Sequence, residues 1–143
     1  NNTNYVILRV PGIYGLGRLP LSKIREREPL IIKDECKITN LINVEDLARV
    51  VWRVIKDNIN NEIINVSDGT PITSTEYYLK IYDELEIEYP PFIKMKEAAK
   101  YYSKERLSFM SESRILDVTK MHRLLSDCIK YSNISDGIKC SLY

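Results

Sequence analysis

The stretch YVILRVPGIYGLGR, residues 5–18, decides how the rest of the chain is read. Residues Tyr5–Val10 form a near-continuous apolar run rich in β-branched types. A run of that kind, without polar alternation, predicts a strand covered on both faces, as in a parallel sheet. Pro11 and Gly12 end it, and Gly12–Pro20, with three glycines and a proline in nine residues, reads as loop. A strand buried on both sides needs companions, so the first question for the remaining sequence is which segments could supply them.

Working outward, LSKIRERE (21–28) predicts a short helix. Leu30–Lys33 and Lys37–Val44 read as two extended pieces around the polar turn Asp34–Cys36, which predicts a hairpin. VEDLARVVWRVIKDN (44–58) is the strongest helical pattern: Leu47, Val50, Val51, Val54 and Ile55 recur at the spacing of one apolar stripe. Asn43 before it, with Asp46 three residues on, offers an N-cap worth about 1 kcal/mol. Glu62–Val66 is a second buried strand, closed by the Ser67–Asp68–Gly69 turn. PITSTEYYLKIYDEL (71–85) follows as a helix capped by Thr73, with Glu76 completing a capping box and Tyr77, Leu79, Ile81, Tyr82 and Leu85 on its packing side. A proline turn at Pro90–Pro91, an amphipathic stretch at 94–107, a short extended SRILD (113–117) and a last helix VTKMHRLLSDC (118–128) complete the pattern. A buried strand feeding a helix occurs twice, which implies a parallel α/β sheet. Two such strands do not make a stable doubly wound sheet by themselves.

The 143 residues suffice for one domain, which at this size buries ~68–70% of the unfolded chain's surface. With 21 basic against 20 acidic side chains the net charge is +1, so there is no electrostatic case for nucleic acid or an anionic membrane surface as partner. No apolar run approaches the ~20 residues that span a bilayer, and the opening NNTN lacks signal-peptide character, which makes a cytoplasmic address the expectation. Cys36, Cys128 and Cys140 are odd in number and have no C-x-x-C spacing, so they read as ordinary thiols rather than a disulfide or zinc framework. His122, the sole histidine, has no ligand companions, and no metal site is expected. Trp52, Tyr77, Tyr78 and Tyr82 sit at helical spacing without a basic groove, which reads as core or lobe packing rather than a stacking platform for single strands.

Four segments stand in register along the chain: LRVPGIYGLGR (8–18), TNLINVEDLARVV (39–51), EIINVSDGTPITSTEYY (62–78) and SESRILDVTKMHRLL (111–125). Together they resemble the C-terminal half of the extended short-chain dehydrogenase/reductase family, the NAD-dependent epimerase/dehydratase-like proteins. The wording is most similar to an oxidoreductase branch that reads R-x-P-G-I-Y-G-P-G-R and then H-V-D-D-L-A. The resemblance implies an α/β fold: the C-terminal part of a Rossmann-type parallel sheet plus a small α/β substrate-binding lobe. Residues 1–15 would be a late Rossmann strand and cofactor-side loop, and 16–143 the lobe, with one returning Rossmann strand at about 62–66. The companions of Tyr5–Val10 would then lie in an N-terminal half carried elsewhere. Implied partners are that Rossmann half in trans or a further copy in a homo-oligomer, together with a small-molecule substrate. NAD or NADP would belong to the complete protein, with no tight binding to this chain alone.

Two family features are not written here. The dinucleotide phosphates of the family rest on a G-x-x-G-x-x-G turn, where glycines let backbone N–H groups approach the pyrophosphate. GIYGLGR follows a late strand and is no such turn. The family's proton-transfer pair is a Tyr with a Lys four positions later, the cation lowering the phenol pKa. None of the ten tyrosines has a lysine at that spacing, so no catalytic residue is assigned.

The resemblance carries Pro11, Gly12 and Ile13 over as contacts to the nicotinamide; the alternative is a Pro-Gly turn that merely ends a strand. Nucleotide-sugar epimerases often place Asn where Gly12 stands, which counts against a sugar-nucleotide substrate, and Leu16 replaces the loop's usual proline. On the substrate side stand Tyr14, Arg18, Asn43 and Arg114. The planar fork of Arg18 suits a phosphate or carboxylate, or is simply solvated. Arg114 reads as a contact to an anionic substrate end, or as a local partner of Asp117. Asn43 stands where the branch usually has His, and Leu41 where it has Arg, which points to an altered substrate or relaxed function. Near the end, SDCIKY (126–131) and YSN (131–133) replace the relatives' Gly-Trp and Tyr-Pro, predicting looser C-terminal packing. The expectation is the substrate-binding portion of an NAD(P)-dependent oxidoreductase or epimerase-like enzyme, inactive alone. The alternative is a non-enzymatic ligand-sensing or interaction module on a degenerate fold of this type.

Overall fold

The structure, a computed structural model, describes residues 3–143; residues 1 and 2 of the 1–15 segment lie outside the described residues. In chain order its elements are β1 (Val6–Arg9), β2 (Gly12–Tyr14), α1 (Leu21–Arg25), β3 (Leu30–Ile31), β4 (Ile38–Thr39), β5 (Leu41–Asn43) and α2 (Val44–Lys56). They continue as β6 (Glu62–Asn65), β7 (Ile72–Thr73), α3 (Ser74–Leu85), β8 (Phe92–Ile93), α4 (Lys104–Ser111), α5 (Thr119–Leu124) and α6 (Ile134–Leu142). Among the described residues no helix is long and apolar enough to cross a membrane.

The two strands read as buried do pair with each other. β1 and β6 run parallel, with Val6 opposite Glu62 and Arg9 opposite Asn65, and α2 is the crossover a parallel pair requires. Val6, Leu8, Ile64 and Val66 point to one side, where Val50 and Leu47 of α2, Met121 of α5 and Leu125 just after it close over them. Ile7 and Ile63 point to the other side and are 49% and 40% exposed. Among the described residues β1 and β6 pair only with each other, so the outer edge of each strand has no strand partner and the face carrying Ile7 and Ile63 stays open.

The helix starts follow from side-chain chemistry. Asn43 caps α2, its Oδ1 accepting the Glu45 N–H at 2.9 Å. Asp46, the expected third-position partner, is instead fully buried and accepts the backbone N–H groups of Lys130 and Tyr131 at 2.8 and 3.0 Å. Thr73 caps α3 through the full capping box with Glu76. α6 packs along α3, joining Ile134 and Ile138 to Ile81, Tyr82, Leu30 and Tyr14 in the lobe's core.

Several local expectations are corrected. The hairpin over residues 30–44 does not form: β3 pairs in parallel with β8, β4 antiparallel with β7, and β5 in parallel with β2. Each piece is two or three residues long, too short for its own sequence to specify a neighbour, and each finds a remote one. Gly12–Tyr14, read as loop, is the strand β2, because β5 supplies its ladder. SRILD has no regular secondary structure. Of the α2 stripe, Val51 and Ile55 face outward beside Trp52, which is 63% exposed and not a packing residue. The C-terminal packing is not loosened by the loss of Gly-Trp. Tyr131 is buried there, its hydroxyl donating to Glu45 at 3.2 Å, and α6 follows.

Candidate functional site

In open α/β sheets ligands gather outside the carboxyl ends of the parallel strands. The carboxyl end of β1 is Arg9, and the chain continues through Val10, Pro11 and Gly12 along one wall of a cleft of about 520 Å³. That volume falls within the ~300–1,000 Å³ common for small-molecule sites. Lys37, Ile38, Thr39 and Asn40 form a second wall, and Phe109 and Met110 of α4 a third. Ser74, at the start of α3, and Glu112, Arg114 and Leu116, from the irregular segment between α4 and α5, complete the lining.

That segment is held in place by a residue the sequence reading passed over. Asn40 is 7% exposed, and its side-chain amide uses both ends: Nδ2 donates to the Arg114 carbonyl at 2.7 Å, and Oδ1 accepts the Leu116 N–H at 3.1 Å. The Arg114 N–H reaches the Ile38 carbonyl at 3.4 Å. Asn40 therefore clamps a segment without a ladder of its own onto β4 and β5. In sequence it lies within the extended piece Lys37–Val44, and nothing in that run marks it as a clamp on a distant segment.

The residues singled out from sequence divide into two groups. Pro11, Gly12 and Arg114 line the cleft. Gly12 also has a packing reason to be glycine, since a Cβ there would lie 3.0 Å from Leu41 Cδ2. Arg114 is 74% exposed at its side chain and pairs with Glu112 at 3.1 Å, not with Asp117. Asp117 instead accepts the Thr119 N–H at 2.9 Å, and hydrogen bonds from Thr119 hold its carboxyl below the usual range.

The other group lies away from the cleft. Ile13 packs on the core beneath α2. Tyr14 is 1% exposed in the lobe's core, its phenol pKa pushed up by burial, and its ring fills the space beside Gly137 that any larger side chain would need. Asn43 is buried as the α2 cap, with Nδ2 directed at the Gly137 carbonyl and Ser141 Oγ at 3.5 and 3.4 Å. Leu41 belongs to the same core. Arg18 is exposed on the turn after β2, outside the cleft lining, and His122 is exposed beside Gly69. Cys36, Cys128 and Cys140 are free thiols, and among the described residues no group of three or more His, Cys, Asp or Glu is arranged to hold a metal.

No protein-family model matches the chain, and no curated protein matches it in sequence. Solved structures do. A functionally unknown conserved protein from Silicibacter pomeroyi superimposes with a TM-score of 0.85 at 25% identity, over 96% of this chain and 48% of that one. The human epimerase family protein SDR39U1, solved with NADPH, gives a TM-score of 0.79 at 13% identity, over 99% and 49%. Bordetella bronchiseptica WbmH, solved with NAD+, gives 0.72 at 17%, over 99% and 45%. The chain thus spans about half the length of the structures it matches, and its fold is the Rossmann-like α/β fold of the NAD-dependent epimerase/dehydratase family, consistent with the C-terminal half.

Proposed function

We propose, from a chain that has the fold of one half of an NAD-dependent epimerase/dehydratase family protein, that it is the substrate-binding portion of an NAD(P)-dependent oxidoreductase or epimerase-like enzyme. It acts together with a complementary dinucleotide-binding half. The observation that carries this reading is the β1–β6 pair: a parallel sheet whose β1 edge is unpaired among the described residues and whose Ile7 and Ile63 lie open on one face. Val51, Trp52 and Ile55 form a second exposed apolar group, on the outward side of α2. Exposed apolar patches of this kind mark interaction surfaces. On this reading β1, within the 1–15 segment, joins the partner's sheet together with the returning strand at 62–66, and the rest of 16–143 forms the lobe, to which β2 is tied by its pairing with β5.

When bound, the nicotinamide supplies hydride exchange with a carbonyl or alcohol carbon. This chain's part is to present the Val10–Gly12 backbone and the adjoining cleft, and through Asn40 to fix the wall that carries Arg114. The phosphate-binding turn and the acid–base pair come from the other half. Mixing the chain with a complementary half that bears both, and following nicotinamide absorbance, tests the assignment. Turnover is expected with both halves present and with neither alone; no complex and no turnover would overturn it. A chain that binds NAD(P)H unaided would favour the non-enzymatic sensor instead.

A further inference from the structure

The cleft's lining points to a class of substrate. Val10, Pro11, Ile38, Phe109, Met110 and Leu116 give it mostly apolar walls, and Phe109 is 64% exposed with nothing over it among the described residues. Hydroxyl partners are few. Thr39 and Ser74 offer one each, and the Asn40 amide is already engaged at both ends. A nucleotide sugar, with its ring hydroxyls and two phosphates, would leave most of its polar groups unmatched there, and each unmatched buried group costs about 1–3 kcal/mol.

Charge gathers at one end. The hydrogen bond from the Arg114 N–H to the Ile38 carbonyl sets Arg114 beside Ile38, next in sequence to Lys37. Arg114 shares its charge with Glu112, while Lys37 has no ion-pair partner among the described residues. Two cations and one carboxylate leave that end with one net positive charge, which matches a single carboxylate, while Arg9, a third cation of the lining, stands at the carboxyl end of β1 beside Val10. The opposite end is set by Gly12, which pairs with Leu41, three residues along from Ile38.

We propose that the cleft takes a small monocarboxylate with an apolar acyl or aryl body, its carboxylate at Lys37 and Arg114 and its apolar body running toward Pro11 and Gly12. The proposal rests on the reading of this cleft as the substrate side of the proposed enzyme. The test is calorimetric titration of the folded protein, alone or joined to its complementary half, with 4-phenylbutyrate, 4-phenylbutanol and UDP-glucose. The carboxylate should bind at least tenfold more tightly than either of the others. A Lys37→Ala, Arg114→Ala double variant, altered at two exposed side chains, should lose about tenfold for 4-phenylbutyrate, with 4-phenylbutanol binding and melting temperature unchanged. Tighter binding of UDP-glucose, no binding of any probe, or a double variant that binds 4-phenylbutyrate undiminished would overturn the proposal. Because binding is read without turnover, a reconstituted enzyme that oxidises nicotinamide yet ignores 4-phenylbutyrate would retain the assignment of function and lose this one.

Discussion

Asp68 closes the turn after β6 with its carboxyl 3% exposed; Oδ1 accepts the Thr70 N–H at 2.8 Å, and Oδ2 has no partner among the described residues. Burial pushes its pKa up from 3.8 to about 6, the Thr70 N–H opposing and the Asp46 charge reinforcing the rise. The folded state therefore holds this proton more tightly than the unfolded chain does. Stability from this group is complete below the unfolded value and is lost as pH rises through about 6. Denaturant unfolding at pH 5 and pH 7.5 should find Asp68→Asn, which keeps the acceptor for Thr70, less sensitive to pH than the native chain by on the order of 1–3 kcal/mol. Identical pH dependence in the two proteins would contradict the account. At this scale the sequence was legible where a residue has a local job and opaque where its job is remote. Ser67–Asp68–Gly69 reads correctly as a turn, but nothing in it announces a buried carboxyl. Pro11, Gly12 and Arg114, singled out from the sequence, line one cleft, whereas Asn40 acts on a segment more than seventy residues away. Tyr14 and Asn43, both expected on the substrate side, turn their side chains into the core.

Among the elements, α3 owes its start to the Thr73–Glu76 capping box, whose carboxylate accepts the Thr73 N–H at 3.1 Å and is held below its ordinary pKa chiefly by that bond. Thr73→Ala should cost about 1 kcal/mol in urea unfolding, the usual worth of an N-cap, and a change under ~0.3 kcal/mol would show that packing against α6 alone sets the helix. Caps and periodicity are local, so α2, α3, β1 and β6 could be read directly. The pairing of two-residue strands is not local, and the expected hairpin dissolved into three separate remote ladders. α6 was hidden by its own composition. Gly137 lowers helical propensity by about 1 kcal/mol, and only the Tyr14 ring packed against it explains its presence. Val51 and Ile55 lie on the helical stripe in sequence, and the structure leaves them outward on α2, where a periodicity argument has no means of telling core from interface.

For the whole molecule, the strand at Tyr5–Val10 that looked buried on both sides is covered on one face and hydrogen-bonded on one edge. An apolar strand edge left open is a template for pairing with other chains. The superpositions put the chain at about half the length of its structural neighbours, and a complementary half would supply both the missing edge partner and the missing face. Amide hydrogen exchange across Val6–Arg9, measured with and without a complementary dinucleotide-binding half, tests that claim most directly. The account predicts that the β1 amides turned away from β6 exchange at least ~100-fold more slowly once the half is added, as edge groups become interior ones. Exchange at the same rate in both samples would contradict it.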